Sequence, residues 1–542
     1  MATQISNVSS KYKDIISKCT RIHAGSPAVY QLRPKEEKFG TLTRKIVGEK
    51  NLNKTNKTIL LVGETGTGKS TLINALVNYT MGVKFEDDIW FKIIEDGTRS
   101  QTESHTSDVI IYKIFGFEGK TLPFSLTIID TPGYGSTEGT ENDVIIKQRL
   151  FDLFSSEDGV HEIDAVGLVL KASVNRLSDR LMYIFDSVTS LFGKDLEENI
   201  VTLITHSDGR RPKNALKALE AANIKCAKDE KNQPVHFLFD NCQHEDRVEE
   251  EIEELEHSYK ITLKGFRQLT DFIGRTATRE LGTTVEVMNT RVELTACINN
   301  LQERIELIEL KQKGIQQTEE ALKKLEQLSD ERTTVEVDEV YKDKEVINGG
   351  MWWTVFYQGA VCCDDCEENC HYPCTMAWRP GHCKVIKKGH CTVCTGKCHV
   401  SKHVKDNSRY VNKTRKVKKT VEELKQKYEA KQQKSNDLLL SLKREAEKLN
   451  KEKNDLLDEA YQHVVKLEQI ALNVNSVSTH VHLDVLIKKM KERGDTEKTK
   501  KLEEMKSQED EGAKTVLSYC LRVTAAGKAA VQTVKNAGWP RF

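Results

Sequence analysis

Two glycine-containing segments, each directly after an apolar run, carry the residue types that hold a nucleoside triphosphate. The first is Gly63-Glu64-Thr65-Gly66-Thr67-Gly68-Lys69-Ser70, which follows the apolar run Thr58 to Val62. Glycines let such a turn present backbone N–H groups to phosphates, because no Cβ atom blocks the approach. Lys69 is predicted to bridge the β- and γ-phosphates, and Ser70 to offer its hydroxyl to Mg²⁺.

The second segment is Asp130-Thr131-Pro132-Gly133, which follows the apolar run Leu126 to Ile129. An Asp at a strand end can hold a water molecule of the Mg²⁺ shell, and a Gly amide can bind the γ-phosphate and move away after hydrolysis. Thr58 to Val62 is predicted as a buried parallel strand and Thr71 to Tyr79 as a helix that begins near Lys69. Together the two segments predict a nucleotide hydrolase, with a tightly packed structural turn as the alternative.

A third segment, Thr205-His206-Ser207-Asp208, ends another apolar run and is the candidate motif for base recognition. The Asp208 carboxylate can accept both the ring N–H and the exocyclic amine of guanine, a donor pair that adenine does not present. The first two residues depart from the usual Asn-Lys-x-Asp; His206 could stack on the purine, and a surface turn is the alternative. The run Val235 to Phe239 leads to Asn241, where further contacts to the base are expected.

Five motifs mark this part of the chain, and four of them are specific in combination. The five are GETGTGKST at Gly63 to Thr71, DTPGYG at Asp130 to Gly135, AVGLVLKASVNRLS at Ala165 to Ser178, LFGKD at Leu191 to Asp195 and THSDG at Thr205 to Gly209. With them, the stretch from about Lys57 to Asp271 resembles the septin-like GTPases. That group holds septins, immunity-associated GTPases and chloroplast-import receptor GTPases.

The resemblance implies binding of GTP and GDP with Mg²⁺, and dimers that form across the nucleotide face. It supports Thr-His-x-Asp as a variant base motif and implies that Thr102 is the switch threonine on Mg²⁺, with Thr98 and Thr106 as rivals. Tyr134 stands where a water-orienting Gln is often found, so hydrolysis by the lone protein is predicted to be slow.

The predicted site residues fall into three sets. The nucleotide-binding residues are Gly63, Glu64, Thr65, Gly66, Thr67, Gly68, Lys69, Ser70, Thr71, Asp130, Gly133, Thr205, His206, Asp208 and Asn241. The catalytic residues are Lys69, Thr102 and Gly133. The Mg²⁺ ligands are Ser70, Thr102 and Asp130.

Composition bounds the remaining possibilities. The 542 residues include 82 Lys plus Arg and 82 Asp plus Glu, so no net positive field favours nucleic acid or an anionic membrane. No apolar run reaches the ~18 residues of a membrane span, and the N-terminus lacks the core of a signal peptide, so a cytoplasmic location is expected. The chain is much longer than one GTPase domain, so further domains are predicted.

Beyond the GTPase segment, apolar residues recur with the period of long helices. One series is Leu294, Ile298, Leu301, Ile305, Ile308, Ile315 and Leu322, and the other is Leu442, Ala446, Leu449, Leu456, Ala460, His463, Leu467 and Ile470. Their similar length predicts an antiparallel hairpin within the chain, and a coiled coil with another chain is the competing interpretation.

Between the two series lies a cysteine-rich segment that is predicted to bind zinc. In a reducing compartment, closely spaced cysteines favour a tetrahedral metal ion over disulfides, and the count predicts about two closed structural sites. One site is drawn from Cys362 or Cys363 with Cys366, Cys370, Cys374 and Cys383. The other is drawn from Cys391, Cys394, Cys398 and His403.

The flanking segments Thr333 to Tyr341 and Arg409 to Thr420 are predicted to pair as strands at the helix tips. The predicted fold class is an α/β P-loop GTPase domain, with a mostly parallel sheet between helices, followed by a long antiparallel helical hairpin with a small zinc module at its tip. The predicted domains are a lead segment 1–56, the GTPase domain 57–275, a long helix 284–330, the zinc-binding β module 331–420, a returning helix 421–473 and a helical tail 474–542.

The sequence therefore predicts a GTP-binding protein that hydrolyses GTP to GDP slowly and acts as a nucleotide-controlled assembly or scaffold protein. Its expected partners are a second copy through the GTPase face and other proteins through the hairpin or the zinc tip. One alternative is a zinc-dependent interaction adaptor with a structural nucleotide. The other is a nucleic-acid-binding zinc protein, which only the basic stretch Arg409 to Lys419 supports, so nucleic acid is not expected.

Overall fold

The computed structural model describes residues 11–40, 42–95, 108–133, 141–325, 334–347, 359–374, 377, 379–420, 438–473 and 477–507. These residues form two compact units. The first contains the chain up to Met288 together with Ile470–Val477, and the second contains Asn289–Gln469 and Ser478–Ser507. Within the described ranges, no helix is long and apolar enough to cross a membrane.

The helices are α1 Lys13–Ile16, α2 Lys69–Met81, α3 Glu141–Ser155, α4 Asp179–Thr189, α5 Lys213–Ala221, α6 Ile252–Arg275, α7 Gly282–Leu325, α8 Leu438–Ile470, α9 Val477–Arg493 and α10 Thr496–Ser507. Short 3₁₀ turns occur at Phe85–Asp87, Lys194–Asn199, Pro380–His382 and Val400–Lys402.

The strands of the first unit are β1 Thr20–His23, β2 Ala28–Gln31, β3 Lys35–Phe39, β4 Leu42–Val47, β5 Asn56–Gly63, β6 Ile89–Lys92, β7 Ile110–Ile114, β8 Ser125–Asp130, β9 Glu162–Ile163, β10 Ala165–Lys171, β11 Ile200–Thr205, β12 His236–Leu238 and β13 Arg279–Glu280. Those of the second unit are β14 Thr334–Val346, β15 Gly359–Cys363, β16 Glu368–Cys374, β17 Ile386–Lys387, β18 His390–Cys391, β19 His403–Asp406 and β20 Ser408–Thr420.

The first unit is built on an eight-stranded sheet with the order β12-β11-β10-β5-β8-β7-β4-β3. Five neighbouring pairs are parallel, and only β7 with β8 and β3 with β4 run antiparallel. The predicted α/β domain with a mostly parallel sheet is therefore confirmed. The edge strand β3 and its neighbour β4 come from the segment 1–56, which was predicted only as a lead segment.

The central strands are buried because apolar side chains lie on both of their faces. In β8, Leu126, Ile128 and Ile129 have no exposed surface, and six of the seven residues of β10 are buried. Such continuous apolar runs are the pattern of parallel strands covered by helices on both faces. The carboxyl ends of these parallel strands therefore lie at one edge of the sheet. The P-loop segment, Asp130 and the segment Thr205 to Asp208 all lie at this edge.

The helices of the second unit bury residues of the predicted apolar series and are joined by ion pairs. Leu294, Leu301 and Ile308 of α7 are almost fully buried. Arg304 of α7 pairs with Glu452 of α8. The helical part also includes α9 and α10, which sequence analysis placed in the tail.

The strands β14 and β20 form an antiparallel ladder of thirteen residue pairs, from Thr334 opposite Thr420 to Val346 opposite Ser408. This pair of strands is confirmed. The acidic residues of β14 lie across from the basic residues of β20: Arg415 contacts Glu339 at 2.8 Å, and Lys413 contacts Asp343 at 2.8 Å. Two cations of the basic stretch, Lys413 and Arg415, are thus paired with carboxylates of the facing strand, which weakens the support for nucleic-acid binding.

The cysteine-rich segment folds as a small module, Gly359–Asp406, around the sheet β16-β15-β19 and the hairpin β17-β18. This cysteine module lies against the first half of α7 rather than at the end of the helix. Asn299 donates a hydrogen bond to the Tyr372 carbonyl at 3.4 Å, and Asn300 donates one to the Asn369 carbonyl at 3.2 Å. The predicted position at the helix tip is wrong, because the long ladder carries the chain back along α7. At 1.5 Å per residue, the contact lies about 37 Å from the last described turn of that helix.

Candidate functional site

The P-loop connects the end of β5 to the first turn of α2. Gly66 and Gly68 adopt φ values of +81° and +86°, a left-handed conformation that glycine reaches without strain. The helix begins at Lys69, as predicted. The Lys69 side chain is only 7% exposed, and its ammonium group donates hydrogen bonds to the carbonyls of Gly63 at 2.7 Å and Glu64 at 3.0 Å. The backbone of the loop therefore surrounds the ammonium group of Lys69.

The environment of Lys69 shifts its proton affinity. Burial lowers the pKa of the ammonium group from 10.5 to about 8, and the nearby carboxylates of Asp130 and Glu64 oppose this shift in part. Glu64 in turn forms an ion pair with Arg180 of α4 at 3.1 Å. An anion with several charges placed beside Lys69 would favour its protonated form.

The second segment lies against the P-loop. Asp130 ends β8 and is fully buried, and the Thr131 hydroxyl donates a hydrogen bond to the Leu61 carbonyl at 2.8 Å. A Cβ atom on Gly133 would lie 2.1 Å from Thr65 Oγ1 and 2.8 Å from Thr65 Cα. Only glycine fits at this position, so its backbone amide lies beside the turn that would hold the phosphates.

The base-recognition segment also touches the P-loop. The Thr205 hydroxyl donates a hydrogen bond to the Thr67 carbonyl at 2.7 Å. A Cβ atom on Gly68 would lie 3.7 Å from His206 Nε2. Thr205 thus fixes the P-loop to the end of β11, a role that its polar side chain can fill although it replaces the usual Asn.

Asp208 and Asn241 lie at the ends of the neighbouring strands β11 and β12. Asp208 is exposed, and its carboxylate accepts a hydrogen bond from the Arg210 amide at 2.9 Å. The Asn241 side-chain oxygen accepts a hydrogen bond from Thr262 at 3.3 Å. The Ser207 amide donates to the Phe239 carbonyl at 3.1 Å, which brings the two strand ends together at the same edge of the sheet.

The three threonines considered for Mg²⁺, Thr98, Thr102 and Thr106, lie outside the described residues, as does Tyr134. The strand that leads to this segment is held by α2. Asn78 exchanges two hydrogen bonds with the backbone of Phe91, at 2.7 and 2.9 Å, and Asn74 accepts from the amides of Ile93 and Ile94. Neither asparagine was among the residues predicted to support the site.

Their signal in the sequence is a polar residue at each of two helical positions one turn apart, within an otherwise apolar helix. A buried Asn in such a place must satisfy its amide group, and backbone groups of a neighbouring strand are the available partners.

The strand order, the P-loop at the end of β5, Asp130 at the end of the adjacent β8 and Thr205 on the P-loop define a nucleotide-binding domain of the P-loop GTPase class. Residues 57–257 match the model of the AIG1 family. The predicted resemblance to the septin-like GTPases is therefore confirmed over this segment, through its immunity-associated members.

A curated relative and two solved structures illustrate the similarity. The immune-associated nucleotide-binding protein 13 of Arabidopsis thaliana is 31% identical over 157 residues, which are 29% of this chain and 39% of the relative. The chain thus spans well under half the length of that relative.

Toc33 from Arabidopsis thaliana, in complex with Mg²⁺ and GMPPNP, is 18% identical, with a TM-score of 0.27, over 42% of this chain and 88% of that chain. The LeoA bacterial dynamin GTPase from ETEC is 17% identical, with a TM-score of 0.24, over 50% of this chain and 47% of that chain. The assignment to this class rests on the strand order, the motifs and the family match.

The cysteine module brings metal-binding side chains together in three groups. In each group, all the candidate ligand atoms lie within 4.8 Å of one another. The groups are Cys363, Cys366, Cys394 and Cys398; Cys370, Cys391, Cys394 and His403; and His371, Cys374 and Cys383. Thiolate and imidazole groups at such distances suit Zn²⁺.

This grouping differs from the two predicted sites. Of the two adjacent candidates, Cys363 joins a group, whereas Cys362 lies on the opposite face of β15, where its sulfur is 3.3 Å from Asn369 Oδ1. Cys366 and Cys370, predicted to share a site, belong to different groups, and each meets cysteines from the later part of the module. His371, which was not among the predicted ligands, lies 3.2 Å from the Cys383 sulfur.

Proposed function

We propose that this protein binds GTP, hydrolyses it slowly to GDP and uses the nucleotide to control its own assembly. One observation supports this most: three separate motifs meet at one place. Gly133 packs on Thr65, and Thr205 is bonded to Thr67, so both contact the loop that leads to Lys69. A turn with a purely structural role would not require the P-loop, the Asp130 to Gly133 segment and the Thr205 to Asp208 segment to meet.

The proposed roles follow from the chemistry of each group. Lys69 would neutralise the β- and γ-phosphates, and the Gly133 amide would contact the γ-phosphate. Ser70 and Asp130 offer hard oxygen donors that suit Mg²⁺, and Thr102 is the proposed third oxygen. Asp208 would select guanine, with His206 and Asn241 beside the base.

Slow turnover and pairing of two GTPase domains are parts of the same proposal. Tyr134 gives the attacking water no amide side chain to orient it, so a facing subunit is proposed to complete the site. Occupancy by GTP would then favour the dimer, and hydrolysis would release it.

The second unit is proposed to serve as the scaffold for other proteins. Zn²⁺ is the proposed ion of the cysteine module, where it would have a structural role, and the helices α7 to α10 offer long surfaces for protein partners. A cytoplasmic location is part of the proposal, because a reducing compartment keeps closely spaced cysteines available to a metal ion.

The test uses the full-length protein. The nucleotide released from purified protein is identified, and GTP turnover per molecule is measured over a hundredfold range of protein concentration, with sedimentation in a non-hydrolysable GTP analogue. We expect guanine nucleotide, turnover that rises with concentration, and a dimer in the analogue.

Lys69→Ala should lose nucleotide binding and keep its helical circular dichroism, whereas replacing an exposed lysine, as in Lys225→Ala, should change neither. Flat turnover with a monomeric boundary would refute assembly control. Bound nucleotide that is never turned over would favour the adaptor function instead.

A further inference from the structure

Cys394 belongs to two of the three candidate metal groups. Its sulfur lies with those of Cys363, Cys366 and Cys398 on one side, and with Cys370, Cys391 and His403 on the other. The Cys394 side chain has no exposed surface, so it cannot turn away into solvent. The two groups are therefore joined through one sulfur atom.

The distances match tetrahedral coordination of two ions. A Zn–S bond of ~2.3 Å gives a tetrahedron whose sulfur atoms are about 3.8 Å apart. In the first group the sulfurs of Cys366 and Cys398 lie 3.6 Å apart, and in the second the Cys394 sulfur lies 3.7 Å from His403 Nε2. Six cysteines and one histidine then provide eight coordination positions, provided that the Cys394 sulfur fills two of them.

Backbone amides around the cluster are arranged to hold thiolates. The amides of Val393 and Cys394 point to the Cys391 sulfur at 3.3 and 3.4 Å, and the Cys398 amide points to the Cys394 sulfur at 3.3 Å. N–H groups directed at sulfur stabilise its negative charge and orient it toward a metal ion.

Backbone groups also orient His403, and the backbone at Gly396 lies close to two of the sulfur atoms. His403 Nδ1 lies 3.0 Å from the His399 carbonyl, which orients Nε2 toward the cluster. The Gly396 amide points to the Cys366 sulfur at 3.4 Å, and a Cβ atom on Gly396 would lie 2.8 Å from the Cys398 sulfur. The loop between Cys394 and Cys398 is thus shaped to hold sulfur atoms from both ends of the module.

We propose that the Cys394 thiolate bridges two zinc ions in one cluster of six cysteines and one histidine, and that His371, Cys374 and Cys383 bind a separate third ion. This inference rests on the proposed zinc binding of the module. It differs from that proposal in stating that two of the ions cannot be bound independently.

The experiment measures metal content of the full-length protein and then replaces zinc with cadmium-113 for NMR. We expect three ions per chain and three cadmium resonances, two of which are split by coupling through the shared sulfur. Cys394→Ser should shift both coupled resonances and remove the splitting. Cys398→Ser and Cys391→Ser should each shift mainly one of the two coupled resonances. Cys362→Ser, a buried cysteine outside all three groups, should leave all three unchanged.

The outcomes separate the two proposals. No metal in the reduced protein would overturn zinc binding altogether. Metal that is bound with no cadmium–cadmium coupling in the unmodified chain, or a Cys394→Ser variant that alters one resonance only, would overturn the shared thiolate and leave zinc binding intact. The coupling in the unmodified chain decides the matter even where a variant fails to fold.

Discussion

Nucleotide binding should take up a proton above neutral pH, because Lys69 must be charged in the complex. Burial holds its pKa at about 8 in the nucleotide-free protein, whereas the lysine reference value is 10.5. Phosphate oxygens beside the ammonium group favour the charged form and raise its pKa again. The free protein therefore carries fewer protons than the complex, and affinity must fall as pH rises through this range.

The magnitude follows from the pKa of Lys69. With a value of about 8, binding should take up about 0.1 proton at pH 7, about 0.5 at pH 8 and about 0.9 at pH 9, and affinity should fall nearly tenfold per pH unit beyond that. The phosphates contribute little to this change, since their last ionisation lies near pH 6.

Calorimetry in two buffers of different ionisation enthalpy gives the number of protons directly. Glu64→Gln removes a charge that raises the pKa of Lys69, so uptake should begin at lower pH in this variant. The control Lys225→Ala should behave as the unmodified protein. Uptake that is no larger at pH 9 than at pH 7 would show that Lys69 is not the buried phosphate ligand.

Three further changes test the site and its support. Asp208→Asn should weaken GTP and relax discrimination against xanthosine triphosphate, whose edge offers an acceptor where guanine offers an amine; unchanged preference in a competition assay would move the base site elsewhere. Thr205→Val keeps the side-chain shape but loses the bond to Thr67, so GTP affinity should fall by about fivefold, for a bond worth about 1 kcal/mol, and Thr205→Ser should restore it. Asn78→Leu leaves the backbone groups of Phe91 unpaired, which should lower the free energy of unfolding by about 2–4 kcal/mol in urea denaturation; a change below about 0.5 kcal/mol would contradict this role.

The central part of the GTPase domain was predictable because its signals are local. A continuous apolar run followed by Gly63 to Ser70 predicts a strand, a turn and a helix, and the structure has them at β5 and α2. The strand β3, Lys35–Phe39, was missed because it is mostly charged and lies at the edge of the sheet, and β4 was missed because Thr43, Arg44 and Lys45 interrupt its apolar residues. An edge strand needs little apolar surface, so it leaves no hydrophobic pattern.

The cysteine module shows where local signals end. Cys362 and Cys363 are adjacent on a strand, and successive side chains point to opposite faces, so spacing alone cannot decide which one binds metal. The partition of ligands depends on how the segments cross in space: Cys370 meets Cys391 because a sheet and a loop bring them together. The place of the module beside α7 depends on the length of the β14–β20 ladder, which the sequence showed only in part.

The order of the ligands along the chain has a consequence for synthesis. All seven proposed ligands of the shared cluster lie between Cys363 and His403, and the ladder closes at Thr420, so both segments are synthesised before α8 begins at Leu438. Domains fold as units while the chain is made, and short loops close with little loss of entropy. Metal captured at that moment would give α7 a folded neighbour before its helical partner leaves the ribosome. The concentration of zinc available during translation would then determine the fraction of chains in which the second unit folds correctly.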